Sequence, residues 1–432
     1  MTKDLDDIKS EFENSSQQSF SQKMRRVLDA PFFQRPIWYI FLSPIFIFVS
    51  FCWAFCAFGR RNKGYSAKPI PRHVKVVCVG NVVVGGVGKS PFVRSLAATA
   101  LSQGKYVAII ARGVGKEDNN QIICEFQQSS SDFNPLEFFS KIDCLADELR
   151  EHALLLLPVL NANQGARLFL IQDSNRYNAV LAFSKLCDEN SQAICFLDDG
   201  LQHFKCPRHL NLCVWDPDLL GSAPPFSIPL GPYREGFSKN WGPFKMRGLL
   251  ESCDMRVWSR TSASNIVAFK MNIERILNTF NVTPKNENDL LLVQKMELRS
   301  VSLASGFLKI QNKVESFENF GFCNFIAGVA QPEKVLRELK SQIPDFQSSK
   351  FNVIALDDHG NLSANIVQKI EVQFPCILTV KDFARWHSAS IFVQLAEQGL
   401  LFVCLLEIEV QAWNEDHSNQ RKEFIIDNKF AL

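Results

Sequence analysis

The sequence contains no acidic residue between Asp29 and Glu117. That 87-residue gap carries twelve Lys and Arg, from Arg35 through Arg60, Arg61 and Lys63 to Lys116, and leaves 35 basic against 45 acidic residues in the rest of the 432-residue chain. The whole-chain charge of +2 excludes a generally basic surface that coats nucleic acid, while the local cationic zone points to a membrane surface or a polyphosphate. Paired thiols are also missing: the 13 cysteines are scattered, with no Cys-x-x-Cys, and Cys52 and Cys56 are the closest two. This excludes a zinc framework and indicates reduced thiols, since a chain of about two domains buries its own cores without disulfide staples. No internal repeat or low-complexity tract occurs. A guanine-reading Asn-Lys-x-Asp or Thr-Lys-x-Asp string is absent as well; Thr379-Val-Lys-Asp382 holds similar residues in the wrong order.

Residues 1–29 are polar and Ser/Gln/Asp-rich, the composition of a flexible or weakly helical tail. They are followed by a window without charge, Pro36 to Gly59, 24 residues long. As a helix it reaches across about 30 Å of hydrocarbon, and Trp38, Tyr39 and Trp53 suit an interface. A buried core helix is the competing reading, but core helices are rarely apolar all round with Arg at both ends. Pro44 is a bend point, so the segment either spans or only inserts. Arg60, Arg61, Lys63, Lys68 and Arg72 follow at once, which places the downstream domains in the cytoplasm and attracts anionic headgroups.

From Val74 the texture becomes α/β. Buried parallel strands are predicted at Val74–Val79, Tyr106–Ala111, Ala193–Leu197 and Leu210–Trp215, with helices at Pro91–Ser102 and Arg176–Leu186. Together they imply a doubly wound parallel sheet over 74–261. An Asn/Thr/Glu-rich stretch, 262–300, reads as a linker. A second, smaller α/β domain is expected over 301–432, with strands Phe322–Ile326, Phe351–Leu356 and Cys376–Val380 and a helix Pro332–Ser341.

The strongest motif is Val77-Cys-Val-Gly-Asn-Val-Val-Val-Gly-Gly-Val-Gly-Lys-Ser-Pro91, a strand, a glycine-rich turn and a helix start. Phosphate oxygens need backbone N–H groups aimed inward without Cβ obstruction, which Gly85, Gly86 and Gly88 permit. The ATP-binding set is therefore Val83, Val84, Gly85, Gly86, Val87, Gly88, Lys89 and Ser90. Lys89 reaches the β/γ-phosphates, Ser90 ligates Mg²⁺, and the helix N-terminus lies beneath the anion. The full pattern wants Gly where this chain has Val83. A second Mg²⁺-handling group belongs at the end of a neighbouring strand, and Ala193-Ile-Cys-Phe-Leu-Asp-Asp199 supplies it in Asp198 and Asp199. Without a guanine motif, ATP is favoured over GTP.

Val79 to Pro91, Leu197-Asp-Asp-Gly-Leu-Gln-His203 and Gly231-Pro-Tyr-Arg-Glu235 together resemble the tetraacyldisaccharide 4'-kinases of lipid A synthesis, in order and spacing from about residue 30 to 400. Arg112-Gly113, Ala327 to Pro332 and Thr379 to Asp382 extend the resemblance. It implies a P-loop NTPase fold with an N-terminal membrane helix and a second domain closing the cleft. The implied enzyme uses Mg-ATP to phosphorylate the 4'-hydroxyl of tetraacyldisaccharide 1-phosphate at the cytoplasmic face of the inner membrane. It also implies a catalytic acid at Asp147, in Ala146-Asp-Glu-Leu149, and a supporting histidine at His359, in Asp358-His359. Gln202 and His203 are expected to line the cleft. Arg176 and Arg234 are candidates for the lipid 1-phosphate or the γ-phosphate, because a guanidinium fork suits phosphate. Asn81 and Arg112 sit at strand ends where ligands bind in such sheets. The partners expected are the lipid substrate and an anionic membrane surface, with no nucleic acid and no obligate protein partner. The alternative is a membrane-recruited P-loop ATPase switch without a small-molecule acceptor; a noncatalytic relative that keeps the fold is a third.

Overall fold

The computed structural model describes residues 27, 36–62, 68–84, 86–113, 121–128, 135–222, 226–234, 253–261, 266–279, 282, 289–304, 307–314, 321–329, 332–343, 346, 349–356, 362–413 and 425. Gly85, Asp358 and His359 lie outside them, as does the polar tail but for Val27.

The uncharged window forms two helices, α1 (Ile37–Phe41) and α2 (Ser43–Asn62). The break falls at Leu42, and Pro44 enters the first turn of α2, where its missing N–H costs nothing. Among the described residues no helix is long and apolar enough to cross a membrane. One side of the pair is packed, with Tyr39, Ser50 and Ala57 buried, while Ile45, Ile47, Phe48, Phe51 and Phe55 are each more than half exposed.

The next elements are β1 (Val74–Gly80), α3 (Lys89–Ser102), β2 (Tyr106–Ala111), β3 (Ile122–Gln127), α4 (Pro135–Asp143), α5 (Asp147–Asn161) and β4 (Arg167–Gln172). They lead to α6 (Arg176–Leu186), β5 (Ala193–Asp198), β6 (Leu210–Trp215), α7 (Pro217–Ser222), β7 (Met255–Thr261) and α8 (Ile266–Thr279). The chain continues with β8 (Asp289–Ala304), β9 (Phe307–Val314), β10 (Phe322–Ala327), α9 (Pro332–Gln342) and β11 (Lys350–Ala355). Last come α10 (Ala364–Val367), β12 (Cys376–Thr379), α11 (Val380–Trp386), α12 (Ser390–Glu397) and β13 (Leu401–Ala412).

These residues form two compact units. The phosphate-loop unit draws on 24–131, 155–294 and 408–432, and its strands run β8-β7-β6-β1-β5-β2-β4-β3. All its pairings are parallel except β3 with β4. Helices cover such a sheet on both faces, so its central strands read as near-continuous apolar runs: β5 and β6 are buried throughout. Strand β1 lies between β5 and β6, so connections leave it in both directions and a crevice opens at the carboxyl ends. The second unit draws on 132–154 and 295–407, with parallel strands in the order β11-β10-β12-β13 and an antiparallel β8–β9 pair. Phe325, Phe346, Leu336 and Ile377 centre its core.

The units depart from the sequential division that composition suggests. Residues 132–154 pack with the second unit, where Phe139 stacks on His387 with ring centroids 4.4 Å apart. Residues from Ile408 on return to the phosphate-loop unit, where the Ile408 carbonyl accepts from Ser95 Oγ (3.2 Å) and the Ile425 carbonyl from Lys75 Nζ (2.7 Å). The stretch expected as a linker, 262–300, carries α8 and the first three-quarters of β8. Its polar average conceals Leu290-Leu-Leu-Val293, which is buried beside β7.

Candidate functional site

The glycine-rich turn leaves β1 at Gly80. A Cβ there would lie 2.5 Å from Leu201 Cβ, so glycine is what lets the turn after β5 close over β1. Val83, standing where the general pattern has glycine, needs no glycine freedom. It is extended and buried, and bridges Tyr233 in antiparallel fashion, with Val84 N–H donating to Pro232 O (2.8 Å) and Arg234 N–H to Val82 O (2.7 Å). The first part of the loop is thus strapped to residues 226–234, and the Val84 amide faces Pro232. Gly86 is exposed and Val87 is buried. Gly88 caps α3 with φ +84°, a left-handed conformation that favours glycine. Lys89 and Ser90 open α3, where backbone donors and the helix dipole favour an anion.

Parallel pairing of Val79 with Asp198 brings the second motif to the same edge. Asp198 is buried at the end of β5. Asp199 follows with φ +53°, the one non-glycine residue at positive φ among those described. Such strained backbone persists where surrounding contacts hold it and is concentrated at functional sites. Here the contacts are cationic: Lys89 Nζ lies 3.3 Å from Asp199 Oδ1, and Arg234 Nη1 donates to both carboxylate oxygens at 2.9 and 2.8 Å. Burial pushes the Asp199 carboxyl up, but Lys89 and Arg234 outweigh it and hold it below its ordinary value. Lys89 also donates to Asn81 Oδ1 (2.8 Å), and Gln202 Nε2 donates to Asn81 O (2.9 Å) while its Oε1 accepts from Arg234 (3.4 Å). Lys89, Asn81, Asp199, Gln202 and Arg234 therefore form one hydrogen-bonded cluster beside Asp198.

The remaining expected residues divide. His203 is pushed down to about 4, chiefly by burial and then by Arg176 and Arg208, so its imidazole is neutral at pH 7. Arg112 is exposed at the end of β2. Arg176 is buried and donates to the Asp173 carbonyl, so its guanidinium is committed to the start of α6. Asp147 belongs to the second unit, where it opens α5 and accepts from Arg385 Nε at 2.9 Å. The described residues thus pair it with a guanidinium.

Sequence reasoning missed Arg208. It donates to the Gly200 (2.9 Å), Cys206 (3.1 Å) and His203 carbonyls, tying down the turn that displays Asp199, Gln202 and His203. An arginine that binds carbonyls leaves no charge pattern, so only its position five residues after His203 pointed to it. Mg²⁺ prefers oxygen donors, one or two carboxylates completed by phosphate oxygens and water. The Ser90 hydroxyl with Asp198 and Asp199 fits that preference.

The model of the tetraacyldisaccharide-1-P 4'-kinase family, LpxK, matches residues 42–135 and 157–425. Curated tetraacyldisaccharide 4'-kinases are similar along most of the chain. One from Legionella pneumophila strain Lens is 26% identical, covering 83% of this chain and 90% of its own length. One from Psychromonas ingrahamii is 26% identical, covering 82% and 88%. A third, from Francisella tularensis subsp. novicida, is 25% identical, covering 75% and 84%. Among solved structures, the "apo" form of LpxK from Aquifex aeolicus in complex with ATP aligns with a TM-score of 0.55 at 17% identity, covering 90% of this chain and 98% of that one.

Proposed function

The chain belongs to the tetraacyldisaccharide-1-P 4'-kinase family, and from that premise we propose how its residues carry the reaction. The activity is that of a lipid A 4'-kinase, an ATP-dependent transfer of a phosphoryl group to the 4'-hydroxyl of a tetraacyldisaccharide 1-phosphate. Phosphoryl transfer needs positioning and charge neutralisation more than covalent chemistry. The cluster of Lys89, Asn81, Asp199 and Arg234 at the ends of β1 and β5 carries this reading.

Before ATP arrives, Lys89 is neutralised by Asp199 and oriented by Asn81. Binding exchanges that carboxylate for the β/γ-phosphates, with the Gly86, Val87 and Gly88 amides and the start of α3 completing the cradle. Ser90, Asp198 and Asp199 would hold Mg²⁺, which offsets charge on the phosphate oxygens. Arg234 restrains Asp199 and supplies a second cation at the phosphate edge. Neutral His203, with Gln202, lines the acceptor side. Asp147 takes the proton of the sugar hydroxyl, and His359 supports it; both assignments rest on the motif resemblance. The exposed apolar side of α1 and α2, with Arg60 in the last turn of α2 and Lys68 after it, lies on the anionic cytoplasmic face of the inner membrane and presents the site to its lipid.

The test uses full-length protein in detergent with [γ-³²P]ATP, Mg²⁺ and tetraacyldisaccharide 1-phosphate. Label is expected in the lipid. Phosphate release without labelled lipid would favour the ATPase switch and overturn the kinase mechanism.

A further inference from the structure

Thr379-Val-Lys-Asp382 belongs to no phosphate site, yet it is one of the most fully bonded polar segments of the second unit. Thr379 caps α11: its Oγ1 accepts from Asp382 N–H at 3.2 Å and donates to Asp382 Oδ2 at 2.6 Å. Gly328 N–H donates to the same carboxylate oxygen at 3.0 Å, and Asp382 is wholly buried. A cap requires no buried charge, since the threonine hydroxyl alone satisfies the N–H. Burying a carboxylate is costly unless it is paired. Its pair is Arg385, one turn on, whose Nη1 donates to Asp382 Oδ1 at 3.1 Å. Arg385 Nε in turn donates to Asp147 Oδ2 at 2.9 Å, and the side chain is 7% exposed. The guanidinium is thus held at two points and presents Asp147 in one orientation. Its Nη2 is buried and has no hydrogen-bond partner among the described residues.

We propose that Arg385 is a positioning residue for the catalytic acid Asp147, locked in place by the buried chain Thr379–Asp382. The inference rests on the reading of Asp147 as the group that takes the hydroxyl proton. A guanidinium donating to Oδ2 restrains the carboxylate plane, and a cation at that distance favours the charged form over the protonated one. The other charged or titratable side chains are Glu137, Lys141 and Asp143 on α4, Glu148, Arg150, Glu151 and His152 on α5, Lys381 on α11, and His387 just after it. Arg150 and His387 are directed to Asp143, at 3.5 and 3.9 Å.

The test compares Arg385→Met, Arg385→Lys, Asp382→Asn and Asp147→Asn by steady-state kinetics on tetraacyldisaccharide 1-phosphate across pH 4 to 9, with ATP-dependent thermal shift as the folding control. Arg385→Met is expected to lower kcat about tenfold to hundredfold and to leave the KM for ATP within about twofold, since that site lies on other residues. Losing the cation favours protonated Asp147, so the acid limb of kcat/KM moves to higher pH. Arg385→Lys restores part of kcat and part of the limb, and Asp382→Asn shifts both in the same direction by less. If Arg385→Met does not fold, the Lys and Asn variants carry the comparison. An unchanged kcat and acid limb in the folded Arg385 variants, with Asp147→Asn inactive, overturns the positioning role and leaves the base assignment standing. Near-normal turnover by Asp147→Asn removes the base itself.

Discussion

At the scale of single residues the site is organised around Asp199, whose strained backbone is held by Lys89 and Arg234. A charge-assisted hydrogen bond contributes roughly 1.5–3 kcal/mol. Arg234→Gln is therefore expected to lower kcat/KM for ATP about tenfold to hundredfold, seen in initial rates at limiting ATP. Wild-type affinity and rate in that variant would mean that the strap alone sets Asp199. The Asp199 carboxyl is held below its ordinary value, so the stability it contributes is present above the unfolded value near 4 and is lost as pH falls through the folded value. His203 acts in the next window up. Its folded value, about 4, lies below the unfolded value near 6.5, so between the two the unfolded chain binds the extra proton and stability falls as pH drops. His203→Gln should flatten the dependence of Tm on pH between about 4 and 6.5; an unaltered slope would place the titration elsewhere.

At the scale of elements, the segment 226–234 is the junction of the phosphate-loop unit. Tyr39 donates to the Pro229 carbonyl, Ser50 Oγ donates to Ser227 O at 2.9 Å, and Trp53 Nε1 donates to Arg234 O at 2.6 Å. The same segment holds Val84 and Asp199, so the surface helices and the phosphate loop share one support. Fully burying a large apolar side chain is favourable by about 1.5–3 kcal/mol. Replacing Phe48, Phe51 and Phe55 with Ser should therefore weaken binding to anionic vesicles strongly, measured by co-sedimentation, while ATP affinity stays near normal. Equal vesicle binding would move the membrane surface off α2. Strand β7 is secured to β8 by another local device: Arg256 Nε and Nη2 meet Asp289 at 2.7 and 2.5 Å, and Trp258 Nε1 donates to the same carboxylate at 2.9 Å, all buried. Removing one partner leaves an uncompensated charge, so Asp289→Ala should destabilise by about 3–5 kcal/mol in urea unfolding. A loss below about 1 kcal/mol would mean that water enters there.

At the scale of the whole molecule, a ligand that binds only the folded chain stabilises it by mass action. Mg-ATP at 100 times its Kd is expected to add about 2.7 kcal/mol, seen as a rise in Tm that Lys89→Ala abolishes. What the chain alone disclosed about this protein was local. Strands β2 and β6 and helix α6 run as their composition predicts, and the phosphate loop and the Asp198-Asp199 turn are contiguous strings whose chemistry does not depend on distant partners. Strands β7 and β8 were not legible, because their apolar runs are short or diluted by polar neighbours and become strands only when paired. Val83 reads as a defect in a motif until Tyr233 is seen to bridge it. Thr379 to Asp382 reads as a misordered nucleotide motif until Arg385 is seen to connect it to Asp147, 238 residues earlier. Spacing along a chain encodes the groups that act through their own backbone, such as a glycine loop at a helix start. Which carboxylate is ionised, which arginine is committed and which helix stays exposed are decided by charges and surfaces that meet only after folding, and those the tertiary structure alone determined.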